Sequence, residues 1–139
     1  MKEEKCKELI EAAMKARKEA YAPYSHFCVG AALLCRDGTV YTGCNVENAS
    51  YPAANCAERT AVFKAVSEGK RQFAAIAVMG GPEEAKQLQE CMPCGICRQV
   101  LAEFCSGGMV IITGVSPENY KEYTLEELLP HSFTGKNLQ

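Results

Sequence analysis

Nine cysteines in a chain of 139 residues constrain this sequence more than any other feature. An odd number cannot all form internal disulfides, and the charged stretch MKEEKCKELIEAAMKARKEA lacks the apolar centre of a signal peptide. We therefore expect a cytoplasmic protein in which some cysteines bind a metal or take part in catalysis. Cys28 and Cys35 lie in an apolar run, where cysteine usually packs as a small hydrophobic residue.

Two segments, Cys56-Ala57-Glu58 and Pro93-Cys94-Gly95-Ile96-Cys97, carry the residues of a candidate metal site. A Cys-x-x-Cys pair at a helix start can direct two sulfurs at one ion, and Cys56, at the first turn of another helix, is the third candidate ligand. Helix N-termini favour the thiolate form that a metal requires. Three thiolates leave the fourth position of a tetrahedral Zn²⁺ for water, which is typical of a catalytic site.

Glu58 follows Cys56 by two residues, so its carboxylate could reach a water molecule on the metal. A lone glutamate at such a position is usually a helix-start acid that stabilises the dipole, but beside an open zinc site the catalytic interpretation is favoured. Cys91 extends the spacing to Cys-x-x-Cys-x-x-Cys and leaves a structural zinc or an iron–sulfur cluster as the alternative. Pro93 separates Cys91 from the helix of the other two, so we interpret Cys91 as a bystander.

The pattern of apolar residues and turns predicts an α/β domain, a three-layer α/β/α sandwich around a central mixed sheet, with residues 1–139 forming one domain. We predict helices at 2–20, 56–68 and 95–105, the last closed near Gly107-Gly108, a hairpin of 27–35 and 40–44, strands at 73–79, 109–113 and 120–124, and a short helix or turn at 125–129. The net charge of -2 and the lack of a basic run argue against nucleic-acid binding. No run of about 18 apolar residues occurs, so no membrane partner is expected.

Five blocks in order carry a resemblance to a known family: YSHFCVGAALL, GCNVENASYP, CAERTA, PCGICRQ and LLPHSF. Together they resemble the cytidine deaminases of the small, homotetrameric, three-cysteine zinc type. The resemblance implies a cytidine deaminase-like fold and the hydrolytic deamination of cytidine and 2′-deoxycytidine to uridine and 2′-deoxyuridine, with release of ammonia, in pyrimidine salvage. One Zn²⁺ per subunit would be held by Cys56, Cys94 and Cys97.

The same resemblance assigns roles around the nucleoside. Glu58 would take a proton from water, protonate the ring at N3 and deliver a proton to the departing amine. Asn45 and Glu47 would contact the ribose 3′-hydroxyl, although without the resemblance they would be interpreted as polar residues of a turn and strand end. Phe27 would pack against the nucleoside, and the backbone of Ala57 would contact the polar edge of the pyrimidine.

Further implied features concern assembly and the metal surroundings. Phe133 would close the pocket of a neighbouring subunit in a homotetramer whose active sites lie at subunit interfaces, and Tyr51 would lie near that boundary. Arg59 would donate hydrogen bonds to the zinc-bound sulfurs. Met92 is a departure, because the family usually has serine before this proline.

Three alternatives stay open from the sequence. The first is a related zinc deaminase of another small nucleoside such as blasticidin S, and the second is a deaminase acting on bases within nucleic acid. The third is a non-catalytic zinc-stabilised domain, for which Glu58 would be dispensable.

Overall fold

A five-stranded sheet of order β2-β1-β3-β4-β5 forms the centre of the computed structural model, which describes residues 1–105 and 108–139. The elements are α1 (Glu3–Arg17), β1 (Phe27–Cys35), β2 (Val40–Cys44), α2 (Ala57–Ser67), β3 (Phe73–Pro82), α3 (Gly95–Phe104), β4 (Val110–Ser116), β5 (Asn119–Thr124) and α4 (Leu125–Leu128). Short 3₁₀ turns lie at Tyr51–Ala53 and Gly135–Leu138.

The sheet is mixed, as the sequence predicted. Strand β1 pairs antiparallel with both β2 and β3, β3 pairs parallel with β4, and β4 pairs antiparallel with β5. The parallel pair is joined through α3, because parallel neighbours need a crossover connection. The first part of this crossover leads from the end of β3 at Pro82 to the start of α3 at Gly95.

Helices cover both faces of the sheet, which confirms the three-layer α/β/α arrangement. On one face α1 buries Leu9, Ile10 and Ala13 against the sheet. On the other face α2 and α3 pack against alternate side chains of the same strands, among them Leu33 and Ile76. No helix in the described ranges has both the length and the apolar character needed to cross a bilayer.

Two glycines allow the helices to lie close to the strands. A Cβ atom on Gly30 of β1 would lie 1.9 Å from the backbone oxygen of Ala13 in α1. On the opposite face, a Cβ atom on Gly43 of β2 would lie 2.6 Å from the backbone nitrogen of Ala61 in α2. Glycine is therefore required at both positions by helix packing rather than by backbone conformation.

Three predicted ends differ from the structure by three residues: those of α1, β3 and β4, the last of which continues past residue 113 to Ser116. Helix α1 ends at Arg17, before the predicted end at residue 20, and Tyr21 then forms a bridge with Val46. Strand β3 continues beyond residue 79 to Pro82, because β1 offers pairing partners as far as Phe27. The predicted closure of α3 near Gly107 falls outside the described residues.

Candidate metal centre

The starts of two helices meet at the candidate metal centre. Cys56 is the N-cap residue of α2 and Cys94 is the N-cap residue of α3, both with extended backbone and neither using its side chain as a cap. The Sγ atoms of Cys56 and Cys94 are 3.8 Å apart, and those of Cys94 and Cys97 are 3.6 Å apart. Tetrahedral zinc with Zn–S bonds of about 2.3 Å requires sulfur separations of about 3.8 Å. The three cysteines therefore fit a zinc ion and converge on one candidate metal site.

Positive charge and hydrogen bonding stabilise the sulfur cluster. Arg59 Nη2 donates to Cys56 Sγ at 3.2 Å. The pKa of the Cys56 thiol is lowered to about 5, because the Cys97 thiol and the Arg59 guanidinium both donate to its sulfur. A thiolate is the form that binds metal, so the local structure favours the charged form of Cys56, whereas the same hydrogen bond raises the pKa of the donor Cys97.

Glu58 is buried beside the cluster, in the first turn of α2, with 3% of its surface exposed. Burial raises the pKa of its carboxyl group to about 7, and the negative charge of Cys56 adds to the effect. Glu58 can therefore exchange a proton near neutral pH, which is what a general acid–base group requires.

Cys91 is not part of the cluster. Among the described residues the sulfurs that converge belong only to Cys56, Cys94 and Cys97. The pKa of Cys91 is raised to about 11 by burial and by the charge of Glu58, so this thiol is poorly suited to act as a ligand. The geometry gives no support to the alternative of a four-cysteine zinc or iron–sulfur site.

Asn45 holds the start of β1, where the half-buried Phe27 lies. Its Oδ1 accepts from the Val29 amide at 2.8 Å, and its Nδ2 donates to the Phe27 carbonyl at 2.8 Å. The side chain thus bridges the backbone on both sides of Cys28. One Nδ2 hydrogen and one Oδ1 lone pair are still free for another partner.

Glu47 organises the loop before β1. Its carboxylate accepts from the backbone amides of Tyr24 and Ser25 at 3.0 and 3.1 Å, and also from the Ser25 hydroxyl. The hydrogen bond from Ser25 contributes most to lowering the pKa of Glu47, so this carboxyl group is held ionised. Sequence reasoning singled out Glu47 but missed Tyr24 and Ser25, although both lie in the YSHF block that it quoted.

A groove of about 310 Å³ lies next to Glu47. The Tyr51 ring meets the Tyr24 ring edge-on across it, with centroids 5.8 Å apart. The lining residues are Tyr24, Ser25, Glu47, Asn48, Tyr51 and Ala54.

Phe133 does not line this groove in the protomer. Phe133 is 58% exposed, and its carbonyl oxygen accepts from Gln99 Nε2 of α3 at 2.8 Å. Tyr51 is likewise 72% exposed. Both aromatic rings are thus presented on the surface of the protomer.

Comparison with known proteins places this geometry in a family. Residues 3–113 match the family described as "Cytidine and deoxycytidylate deaminase zinc-binding region". A cytidine deaminase of Sporosarcina psychrophila is 51% identical over 130 residues, which cover 94% of this chain and 92% of that protein. The crystal structure of cytidine deaminase from Burkholderia pseudomallei matches with a TM-score of 0.81 and 48% identity, over 91% of this chain and 97% of that one. A blasticidin-S deaminase of Bacillus cereus is 28% identical over 91% of each chain. With its three-cysteine zinc site and these similarities, the chain belongs to the cytidine and deoxycytidylate deaminase family.

Proposed function

We propose that the protein catalyses the zinc-dependent hydrolysis of cytidine and 2′-deoxycytidine to uridine and 2′-deoxyuridine, with release of ammonia. Cytidine deaminase activity follows because about half of the residues are identical to those of two cytidine deaminases, over nearly the whole chain. The observation that carries the chemistry is the buried Glu58 carboxyl group on the same helix turn as a zinc ligand. The deoxynucleoside is the part of the proposal that rests on the motif resemblance.

Zinc, when bound by the three cysteines, supplies Lewis-acid chemistry that polarises and acidifies a water molecule. Glu58 accepts the proton of the attacking water and transfers it to N3 of the cytosine ring, which makes C4 electrophilic. The water oxygen bonds to C4, and Glu58 then carries the second proton of this water to the N4 amine, which leaves as ammonia. Its raised pKa suits both steps, since the group must accept and release protons near neutral pH.

The nucleoside contacts are part of the same proposal. Ala57 is the first residue of α2, so its N–H has no partner within the helix and can donate to the polar edge of the pyrimidine. Asn45 and Glu47 have hydrogen-bonding capacity left for the ribose 3′-hydroxyl, and Phe27 offers an apolar ring at the start of β1. Arg59 offsets the charge of the thiolates.

We also propose that the protein is a homotetramer whose active sites lie at subunit interfaces and that residues 1–139 act as one domain. Support comes from large hydrophobic side chains exposed on the protomer, among them Tyr51, Phe63, Ile96 and Phe133, since aromatic residues are enriched at subunit interfaces. Size-exclusion chromatography with light scattering tests the assembly, and a monomer with full activity would contradict it. A cytoplasmic location is supported by all nine cysteines being free thiols.

Ammonia release by the purified, zinc-loaded protein tests the reaction. Cytidine, 2′-deoxycytidine and blasticidin S are supplied separately, and Glu58→Gln is compared with the exposed control Glu103→Gln. We expect both cytidine nucleosides to be deaminated by the wild type and by the control, and neither by Glu58→Gln. Ammonia from blasticidin S alone would favour the related deaminase. Activity that survives in Glu58→Gln would contradict the role of Glu58 but not the reaction.

A further inference from the structure

The connection between β3 and α3, residues 83–94, delivers the zinc ligand Cys94 but contains no helix or strand of its own. Its position therefore depends on a few attachments to the sheet and to α3. On the helix side, Arg98 Nε donates to the Pro93 carbonyl at 2.8 Å. On the sheet side, the Gln89 amide donates to the Gly80 carbonyl at 3.2 Å.

Glu90 provides a further attachment that the proposed reaction does not use. Its Oε1 accepts from the Thr113 hydroxyl of β4 at 3.0 Å and from the Tyr123 hydroxyl of β5 at 2.8 Å. The Lys121 ammonium lies 3.9 Å from Oε2. One carboxylate therefore ties the connection to two neighbouring strands.

The hydrogen bond from the buried Thr113 hydroxyl makes the largest contribution to the stability of this attachment. Glu58 and Thr113 are the polar or charged residues that are buried in the described part of the chain, and Thr113 is fully buried. A buried hydroxyl without an acceptor is costly, and a carboxylate is a strong acceptor. The ion pair with Lys121 matters less, because exposed pairs at this distance contribute little.

The attachment is close enough in sequence to control Cys94. Only Cys91, Met92 and Pro93 separate Glu90 from Cys94, and the proline restricts the backbone further. The Cys91 sulfur also packs close to Gly80, within 3.0 Å of where a Cβ atom would lie. A shift at Glu90 is therefore passed along a short, constrained segment to the zinc ligand.

We propose that Glu90 is a positioning residue that holds Cys94 in its zinc-binding place and so slows the release of zinc. The inference rests on the three-cysteine zinc site and not on the reaction performed there. It concerns Glu90, Thr113 and Tyr123, outside the ligand set.

Zinc release from the intact holoenzyme tests the proposal without any nucleoside. The zinc-loaded protein is mixed with excess chelator well below its unfolding temperature, and metal transfer to a zinc-sensitive dye is followed over time. Three variants are compared with the wild type: Glu90→Ala, Glu90→Gln and Glu84→Ala. Glutamine keeps an oxygen at the Oε1 position for both hydroxyls, whereas Glu84→Ala removes an exposed charge from the same connection.

We expect Glu90→Ala to release zinc about tenfold faster, the lower end of the range for residues that orient metal ligands. Release from Glu90→Gln and Glu84→Ala should stay within about twofold of wild type, since neither loses the two hydrogen bonds. Equal release from Glu90→Ala and wild type would overturn the proposal, as would equal acceleration in Glu84→Ala. If Glu90→Ala does not fold, Tyr123→Phe decides: it removes one of the two hydrogen bonds, and unchanged zinc release would overturn the proposal.

Discussion

Replacing Glu58 by glutamine is expected to stabilise the metal-free protein at alkaline pH. Glu58 is 3% exposed, and burial raises the pKa of its carboxyl group from the ordinary value of 4.5 to about 7. As pH rises through 4.5, the unfolded chain loses this proton while the folded protein keeps it. Stability therefore falls with rising pH, and the loss is complete once the folded carboxyl group ionises above about pH 7.

The size of this effect follows from the pKa difference. Each pKa unit corresponds to about 1.4 kcal/mol, so the full cost of ionising Glu58 in the fold is on the order of 3 kcal/mol. Glutamine has nearly the same shape and carries no charge, so Glu58→Gln should escape this cost. Its stability relative to wild type should rise by about 2–3 kcal/mol between pH 5 and pH 8.

Urea unfolding of the metal-free proteins under reducing conditions measures this difference. Wild type and Glu58→Gln are compared at pH 5 and pH 8, with the exposed Glu103→Gln as the control that removes a carboxyl group from the surface. The control should follow wild type at both values. If the free energies of unfolding of wild type and Glu58→Gln change in parallel with pH, the carboxyl group is not destabilised by burial and the reasoning is refuted.

Three further predictions concern the metal and the packing. Arg59→Ala should weaken zinc binding about tenfold in a chelator competition, because a guanidinium donor to Cys56 is lost, and Arg59→Lys should recover part of it. Removing zinc with a chelator should lower the thermal unfolding temperature and abolish ammonia release, both of which added Zn²⁺ should restore; unchanged unfolding would show that the site contributes no folding energy. Gly30→Ala should cost about 3 kcal/mol or more of unfolding free energy, since its Cβ atom would overlap the Ala13 carbonyl, whereas Gly135→Ala, whose Cβ atom would have no described residue within 4 Å, should cost little.

The helices and the hairpin were predictable because local patterns determine them. Periodic apolar residues marked α1, and the Asp-Gly turn marked the hairpin of β1 and β2. The zinc ligands were also predictable, since the Cys-x-x-Cys spacing and the expected helix starts fix where the thiols point.

Features that depend on distant pairing could not be predicted. The sequence after residue 79 resembles a turn because of Gly80, Gly81 and Pro82, yet pairing with β1 keeps it in the sheet. The sequence also does not predict that the Thr113 and Tyr123 hydroxyls both donate to Glu90. Glu90 lies on a connection more than twenty residues before them, and nothing in its local pattern indicates this contact. Only the assembled sheet brings these three together.

The convergence of the three sulfurs follows from the directions of the strands. Strand β1 runs antiparallel to both β2 and β3, so β2 and β3 run in the same direction. The helices that follow them, α2 and α3, pack on the same face and therefore both begin at the same edge of the sheet. The reversed strand β1 starts at this edge too, which is why Phe27 pairs with Pro82 at the end of β3. A cysteine at each helix start, together with Cys97 in the first turn of α3, then completes the metal site. A cysteine one position further along either helix would be turned by about 100° away from it.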